Sequence, residues 1–421
     1  MPDYKYIGHS STRIDGREKV TGAAQFVDDI DFGPDLLHAA IVESPHAHAL
    51  IKGIDTSEAE AVPGVLKVVT GADFPYRFGL YMKDRHILAQ DRVRFVGEQV
   101  AAVVARDSKT ALRAAKLVRV DYEELDPIFD PLESIEGDAC LLHPDMCECE
   151  RVPWFFPEAD TNIAHCRKTR KGDVEAGFAQ ADEILEDTYT VPRYAHCAIE
   201  PHVIVGLQDQ SGRLTLWSSS QSPHTQRHLF TEALSPLGFT HKDVRVITPY
   251  VGGGFGGKAG VTMEIIGAAL ATAVKGHPVK LRWTREQEFY NTYQRQGVVA
   301  KLRIGVRSDG TITAIDHSIY FDAGAYVEYG ANVVNAVGLS ATGAYRIPNV
   351  KIDSYCIYTN LPPGGPYRGF GYSEFHFGLE SHMTRLADEL GMEHREFIGA
   401  RSAFREHLAV LKPPSSEDRD R

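Results

Sequence analysis

Gly252-Gly253-Gly254-Phe255-Gly256-Gly257-Lys258 places five glycines in six positions. The stretch follows a strand-like run, Val244 to Val251, and precedes a helix-like run, Val261 to Val274. Without Cβ atoms, the main chain can approach a ligand closely and aim several N–H groups at it. A helix starting just beyond would add a dipole favouring anionic oxygen. Four readings fit. Gly252, Gly257 and Lys258 have P-loop spacing, but Ala259 stands where the magnesium-binding Ser or Thr belongs. Gly252, Gly254 and Gly257 have the spacing of a dinucleotide loop, with Val279 to Trp283 as the next strand and Glu286 as a late ribose acid. A metal–oxo cofactor would use the same main-chain donors. A tight structural turn would need the glycines only for their backbone freedom.

Downstream, Leu302 to Val306 and Ile312 to Ile319 flank Asp309-Gly310, which predicts a hairpin with a type I′ turn. Val203 to Leu207 and Leu214 to Ser218 flank Ser211-Gly212 in the same way. Leu379, Met383, Leu386 and Leu390 repeat at helical spacing, and Gly391 predicts the stop. Asp173 predicts an N-cap for a helix running through Ile184.

Upstream, Leu36 to Val42, Val100 to Val104 and Val118 to Tyr122 predict strands around a helix at Asp107 to Leu117. This is a mixed α/β unit, taken as residues 12–131. Residues 132–171 show no period and predict a linker or long surface excursion. A second unit follows over 172–410, and the charged stretch 411–421 predicts a disordered tail.

The chain has 421 residues, 43% of them hydrophobic and 24% charged, with a formal net charge of −12. That balance suits a globular protein and argues against nucleic acid as a partner. No apolar run reaches the length of a membrane helix, and Met1 to His9 lacks the pattern of a secretory signal. Six irregularly spaced cysteines predict no disulfide scaffold, and hence a cytoplasmic setting. His143, Cys147 and Cys149 lack the spacing of a zinc or iron–sulfur motif. His196, Glu200 and His202 lack the order of a zinc protease. His46 and His48, sharing one face of a strand, have nothing nearby to complete a site.

Several ordered motifs narrow the choice. The glycine loop resembles that of xanthine dehydrogenase/aldehyde oxidase large subunits. Asp15-Gly16, Lys19-Val20-Thr21-Gly22, Ser44-Pro45-His46-Ala47-His48-Ala49 and Val96-Gly97-Glu98 resemble the family's N-terminal hammerhead domain. Glu200-Pro201-His202, Gln221, Asp322-Ala323-Gly324-Ala325-Tyr326 and Tyr367-Arg368-Gly369-Phe370-Gly371 resemble its first molybdenum-binding domain. The likeness spans about residues 12 to 400. It implies an α+β architecture, a hammerhead domain followed by the first molybdopterin-binding domain. It also implies a hydroxylase or dehydrogenase that oxidises an N-heterocycle or aldehyde, with water as the oxygen source. Its cofactor would be molybdenum-molybdopterin, in the cytosine dinucleotide form, with no protein side chain on the metal. Electrons would leave through iron–sulfur clusters and FAD on partner chains.

Residue by residue, the resemblance places Gln221 and the loop segment Gly253, Gly254, Phe255 and Gly256 at the cofactor. It places Arg368 beside the metal and Phe370 on the substrate ring. Each has a plainer reading: Gln221 as a turn residue, Arg368 in a surface ion pair, Phe370 as core. The family's longer chains carry a catalytic glutamate in a second half, so a general base is expected on a separate molybdopterin-binding subunit. The pattern is similar to the large chain of split, nicotinate dehydrogenase-type enzymes. Ala259 and Ala336 stand where purine-oxidising members carry Glu and Arg, which argues against xanthine as substrate. Glu374 replaces a usual Gln. The rival readings are a Rossmann-type dehydrogenase and a non-catalytic scaffold.

Overall fold

The computed structural model describes residues 4–401. The expected tail at 411–421 lies outside them. Two sheets organise the chain. The larger has seven strands in the order Val244–Ile247, Leu214–Ser218, Val203–Gln208, Val279–Arg282, Leu37–Glu43, Gln99–Ala105 and Val65–Thr70. Gln99–Ala105 reads as an apolar run and is buried along its whole length, as expected of a strand covered on both faces. Helix Ser108–Ala115 follows it, capped by the Asp107 carboxylate accepting from Thr110 N–H. Leu37 and His38 pair in parallel with Val279 and Lys280. The early α/β unit and the later strands therefore share one sheet.

The second sheet has five strands, in the order Glu183–Val191, Val298–Val306, Ile312–Gly324, Asn349–Tyr358 and Ile163–Lys171. Helix Tyr372–Glu389 packs on its Glu183–Val191 end, burying Leu379, Met383 and Leu386. Gly391 follows in the left-handed conformation at φ 63, which ends the helix as expected. Each sheet has its own large apolar core.

Four expectations need correction. Ile163–Lys171 is an edge strand paired with Asn349–Tyr358, not part of a linker. Residues 132–162 are also anchored: Leu142, Met146 and Phe155 are buried in the core, and the Asn162 side chain bonds Leu142 N, Ser134 O and Cys140 O. Single anchors at irregular intervals leave no period to read. The helix capped by Asp173 is only Val174–Phe178. Residues 183–191, expected to begin within that helix, instead pair in unbroken register with 298–306. At Asp309-Gly310, only Gly310 has positive φ, at 79, and its N–H donates to Arg307 O. A type I′ turn needs positive φ at both central residues. The hairpin instead closes with a tight turn ending at a left-handed glycine, and the ladder shifts register at Gly305/Val306. His46 and His48 precede the strand Ala49–Asp55 and do not share a strand face.

Among the described residues, no helix is long and apolar enough to cross a membrane.

Candidate active site

Three segments meet where the sheets adjoin. Gln221 and Ser222 lead from Leu214–Ser218 into helix Pro223–Leu234. The glycine loop follows Val244–Ile247. Pro366 to Phe370 precede helix Tyr372–Glu389. Together with Ala259 and Tyr329 they line an open cavity of about 440 Å³, to which the loop contributes Phe255 and Gly256.

The glycines answer to internal neighbours. A Cβ on Gly252 would lie 2.5 Å from Glu200 Cβ, and one on Gly257 would lie 2.9 Å from the His196 ring. A Cβ on Gly254 would sit 2.5 Å from Gln221 Oε1, and one on Gly256, at φ 109, would sit 2.2 Å from Pro366 O. The loop is thus packed by chain on several sides. Close approach within the protein, as much as approach to a ligand, requires glycine here.

Lys258 is 1% exposed, and its Nζ donates to Glu200 Oε2 at 2.8 Å. The same oxygen accepts from Gly252 N–H at 2.7 Å. Lys258 therefore anchors the loop from inside, opposite to the role of a P-loop lysine. Helix Glu264–Ala273 begins well past the glycines, and buried Glu264 accepts from Thr262 N–H at its start. Its N-terminal dipole is turned inward. The dinucleotide reading also fails. Two strands separate Val279–Arg282 from Val244–Ile247, so no adjacent strand–helix–strand unit forms, and Glu286 is exposed on helix Arg285–Tyr290.

Behind the loop, the His202 ring contacts Glu288 through Nδ1 at 2.9 Å and Gly257 O through Nε2 at 3.1 Å. Burial opposes charge on His202, but the Glu288 hydrogen bond and carboxylate outweigh it and hold the pKa above the usual value. Burial likewise opposes charge on Glu288, and the His202 bond and charge outweigh it to keep that pKa low. His196 differs. Burial pulls its pKa down to about 4, and the neutral ring donates through Nε2 to Pro366 O at 2.8 Å. It also stacks on Tyr367 at 4.5 Å.

Gln221 is fixed at both ends. Its N–H donates to Lys258 O, and its Oε1 accepts from Gly256 N–H at 3.0 Å. Its Nε2 remains a donor with no partner among the described residues. Arg368 N–H donates to Phe255 O at 2.8 Å, while its exposed guanidinium likewise has no described partner. Phe255 and Phe370 both hold positive φ, at 54 and 50. Phe255 is 48% exposed, whereas Phe370 is half-buried with its ring against the five-stranded core. Phe370 thus packs against the core and is also one of the residues lining the cavity. Gly253 and Gly254 sit beside the cavity, against Ala198 and Gln221, and do not line it.

Sequence patterns missed Ser222, Tyr329, Pro366 and Tyr367 in the lining. Tyr329 O–H donates to Ala259 O at 3.3 Å. Nothing in Glu328-Tyr329-Gly330 marks it, because its role depends on a segment 70 residues away. Ala336 lies on helix Gly330–Ser340 and outside the lining. Among the described residues, no group of His, Cys, Asp and Glu could hold a metal ion. His143 instead donates to Ala325 O and His48 to Asp126 O, both buried.

The donor set can be tested against an oxygen-rich anionic group. Gln221 Nε2, the Arg368 guanidinium and Phe255 N–H have no described partner, and no carboxylate lines the cavity. Donors without acceptors suit a ligand that brings acceptors. The residues fit a molybdenum–pterin group with oxygen ligands.

Comparison with known proteins agrees. Residues 155–399 match the molybdopterin cofactor-binding domain. Residues 21–126 match the a/b hammerhead domain of aldehyde oxidase and xanthine dehydrogenase. The chain is 34% identical to the nicotinate dehydrogenase large molybdopterin subunit of Eubacterium barkeri, over 93% of this chain and 88% of that one. It is 32% identical to the xanthine dehydrogenase molybdenum-binding subunit of Escherichia coli O157:H7, over 94% of this chain but 51% of that one. Among solved structures, CO dehydrogenase from Oligotropha carboxidovorans superposes with a TM-score of 0.86 at 29% identity, over 96% of this chain and 51% of that chain. Aldehyde oxidoreductase from Desulfovibrio gigas gives 0.83 at 28% identity, over 93% and 43%. The chain therefore spans most of the first of these relatives and about half or less of the others. Two matched domains in the same order, over a shared fold, make this chain a molybdenum-binding subunit of the xanthine dehydrogenase/aldehyde oxidase family.

Proposed function

We propose that the chain is one molybdenum-binding subunit of a multi-subunit hydroxylase that oxidises an N-heterocycle or an aldehyde. In this reading a second molybdopterin-binding subunit completes the site. Iron–sulfur and FAD subunits take the electrons away, and the pterin carries a cytosine dinucleotide. Free thiols at all six cysteines fit a cytoplasmic complex. The observation that carries the reading is one open cavity lined by Gln221, Phe255 and Arg368, each with a donor unpaired among the described residues, and by no described carboxylate.

Bound there, molybdenum-molybdopterin would supply the oxidation, with the oxygen taken from water. Gln221 Nε2 and Phe255 N–H would hold oxygen atoms of the cofactor. The Arg368 guanidinium would stabilise negative charge developing on the substrate. The ring of Phe370 would orient a planar substrate at the cavity wall. Among the described residues no carboxylate lines the cavity, which supports a general base supplied by the partner. Ala259 lines the cavity without a polar side chain, which disfavours a purine that needs one for recognition. The fuller coverage of a nicotinate dehydrogenase large subunit supports the split arrangement.

Elemental analysis of the purified complex tests the reading. Molybdenum at about one per complex is expected. Bound NAD without molybdenum would favour a nucleotide-dependent dehydrogenase, and neither would leave only a scaffold. In a molybdenum-loaded complex, Arg368→Ala and Gln221→Ala should each cut turnover at least about tenfold. Unchanged rates in both would remove the site assignment.

A further inference from the structure

Arg295 and Glu374 lie behind the cavity and touch none of its space. Arg295 is 2% exposed and Glu374 is 4% exposed, and their side chains form an ion pair. The Arg295 guanidinium carbon sits 4.2 Å from the centre of the Tyr367 ring and 5.0 Å from that of Tyr194. The same guanidinium donates to Arg368 O. Glu374 lies in the first turn of helix Tyr372–Glu389. Between the two acidic and basic partners runs the segment Gly369, Phe370 and Gly371, with φ of 105, 50 and 89. The two glycines take positive φ freely, but Phe370 persists there only because its surroundings hold it. Here one guanidinium grips the segment at Arg368 O, while its carboxylate partner fixes the helix that follows.

From this geometry, and resting on the function proposed above, we infer that Arg295 and Glu374 are positioning residues for Arg368 and Phe370. We also infer that Glu374 sets the charge behind the cavity. The ion pair does two separable things. One Arg295 guanidinium nitrogen donates to Arg368 O while another faces Glu374, a two-pronged reach that a lysine lacks. The Glu374 carboxylate cancels that cation, so the unpaired Arg368 is the net positive charge presented to the cofactor.

Two variants in the assembled, molybdenum-loaded complex separate these effects. Arg295→Lys keeps the charge and loses the fork. It should lower kcat at least about fivefold, with molybdenum content and the molybdenum reduction potential unchanged. Glu374→Gln keeps the shape and leaves a buried positive charge uncancelled. It should shift the molybdenum reduction potential upward, because positive charge nearby favours the electron-richer state, and KM should stay within about twofold. The double variant Arg295→Gln, Glu374→Gln removes both charges and guards against a folding defect. It should assemble with full molybdenum and show the Arg295→Lys loss of kcat without the upward shift. Wild-type kcat in Arg295→Lys, or an unmoved potential in Glu374→Gln, would each overturn the corresponding half of the inference. A wild-type complex without molybdenum would instead overturn the function on which it rests.

Discussion

Gly254 and Gly256 are two residues apart, and the structure assigns them different costs. A methyl group at Gly254 meets Gln221 Oε1, the far end of a side chain that can move aside at the expense of its hydrogen bond from Gly256 N–H. A methyl group at Gly256 meets the carbonyl of Pro366, which cannot, and the backbone there sits at φ 109. Gly256→Ala should therefore destabilise the fold by about 1–3 kcal/mol, read as a lower unfolding temperature. Gly254→Ala should cost well under that, at most about 1 kcal/mol, yet lower turnover about tenfold, because it displaces the carboxamide that faces the cavity. Full activity in Gly254→Ala would mean that the position of Gln221 does not matter to the reaction. The same contrast explains what could be read at this scale. Five glycines announced a close approach, but not what they approach. Glu200, His196, Gln221 and Pro366 come from segments that sequence spacing does not relate to the loop. Gln221, Arg368 and Phe370 were recognisable only through family motifs, since an isolated Gln, Arg or Phe has commoner uses.

The contact between His202, just before strand Val203–Gln208, and Glu288 of helix Arg285–Tyr290 ties two elements to the glycine loop. Bonding Glu288 and Gly257 O together takes both ring protons, so the imidazolium form makes the full set. Its raised pKa fixes the sign. The stability it adds is complete below the ordinary histidine value and is lost as pH rises through the higher folded value. Glu288 has the opposite limb, with its contribution lost as pH falls through its lowered value. Unfolding temperature measured against pH should therefore decline on the alkaline side, and His202→Gln should flatten that decline while lowering the plateau. An alkaline limb identical in His202→Gln would remove the coupling. Elements differed in how openly the sequence declared them. Gln99–Ala105 and Tyr372–Glu389 were legible because continuous burial or a repeating apolar face leaves a period. Ile163–Lys171 was not, because only its first three residues are buried and the rest carry the charges of an exposed edge. The start of Glu183–Val191 was taken into a helix because its inward residues are only half-buried and include Asp187 and Tyr189, which leaves no strand alternation to read.

At the scale of the molecule, the cavity opens at the junction of two sheets, each with its own core, and exposed aromatic rings lie around it. Phe255, Tyr194, Tyr372 and Phe377 are each 40% exposed or more, on or beside the segments that form the site. Tyr194 packs edge-on against Tyr367, which lines the cavity. Exposed aromatics grouped near an open site mark a surface for another chain. Among the described residues the lining carries donors and rings but no carboxylate, the usual acceptor of a proton from water. Both features lead to one expectation. Expressed without its partners, this chain should hydroxylate neither an N-heterocycle nor an aldehyde. Adding the second molybdopterin-binding subunit should restore turnover and bury more than about 2,000 Å² at the contact, the size of an obligate interface. Phe255→Ser should weaken that assembly, measured as the fraction of chain co-purifying at fixed subunit concentration. Robust hydroxylation by the isolated polypeptide would show that the proton acceptor is already in this chain, and the open cavity would then have to be complete as it stands.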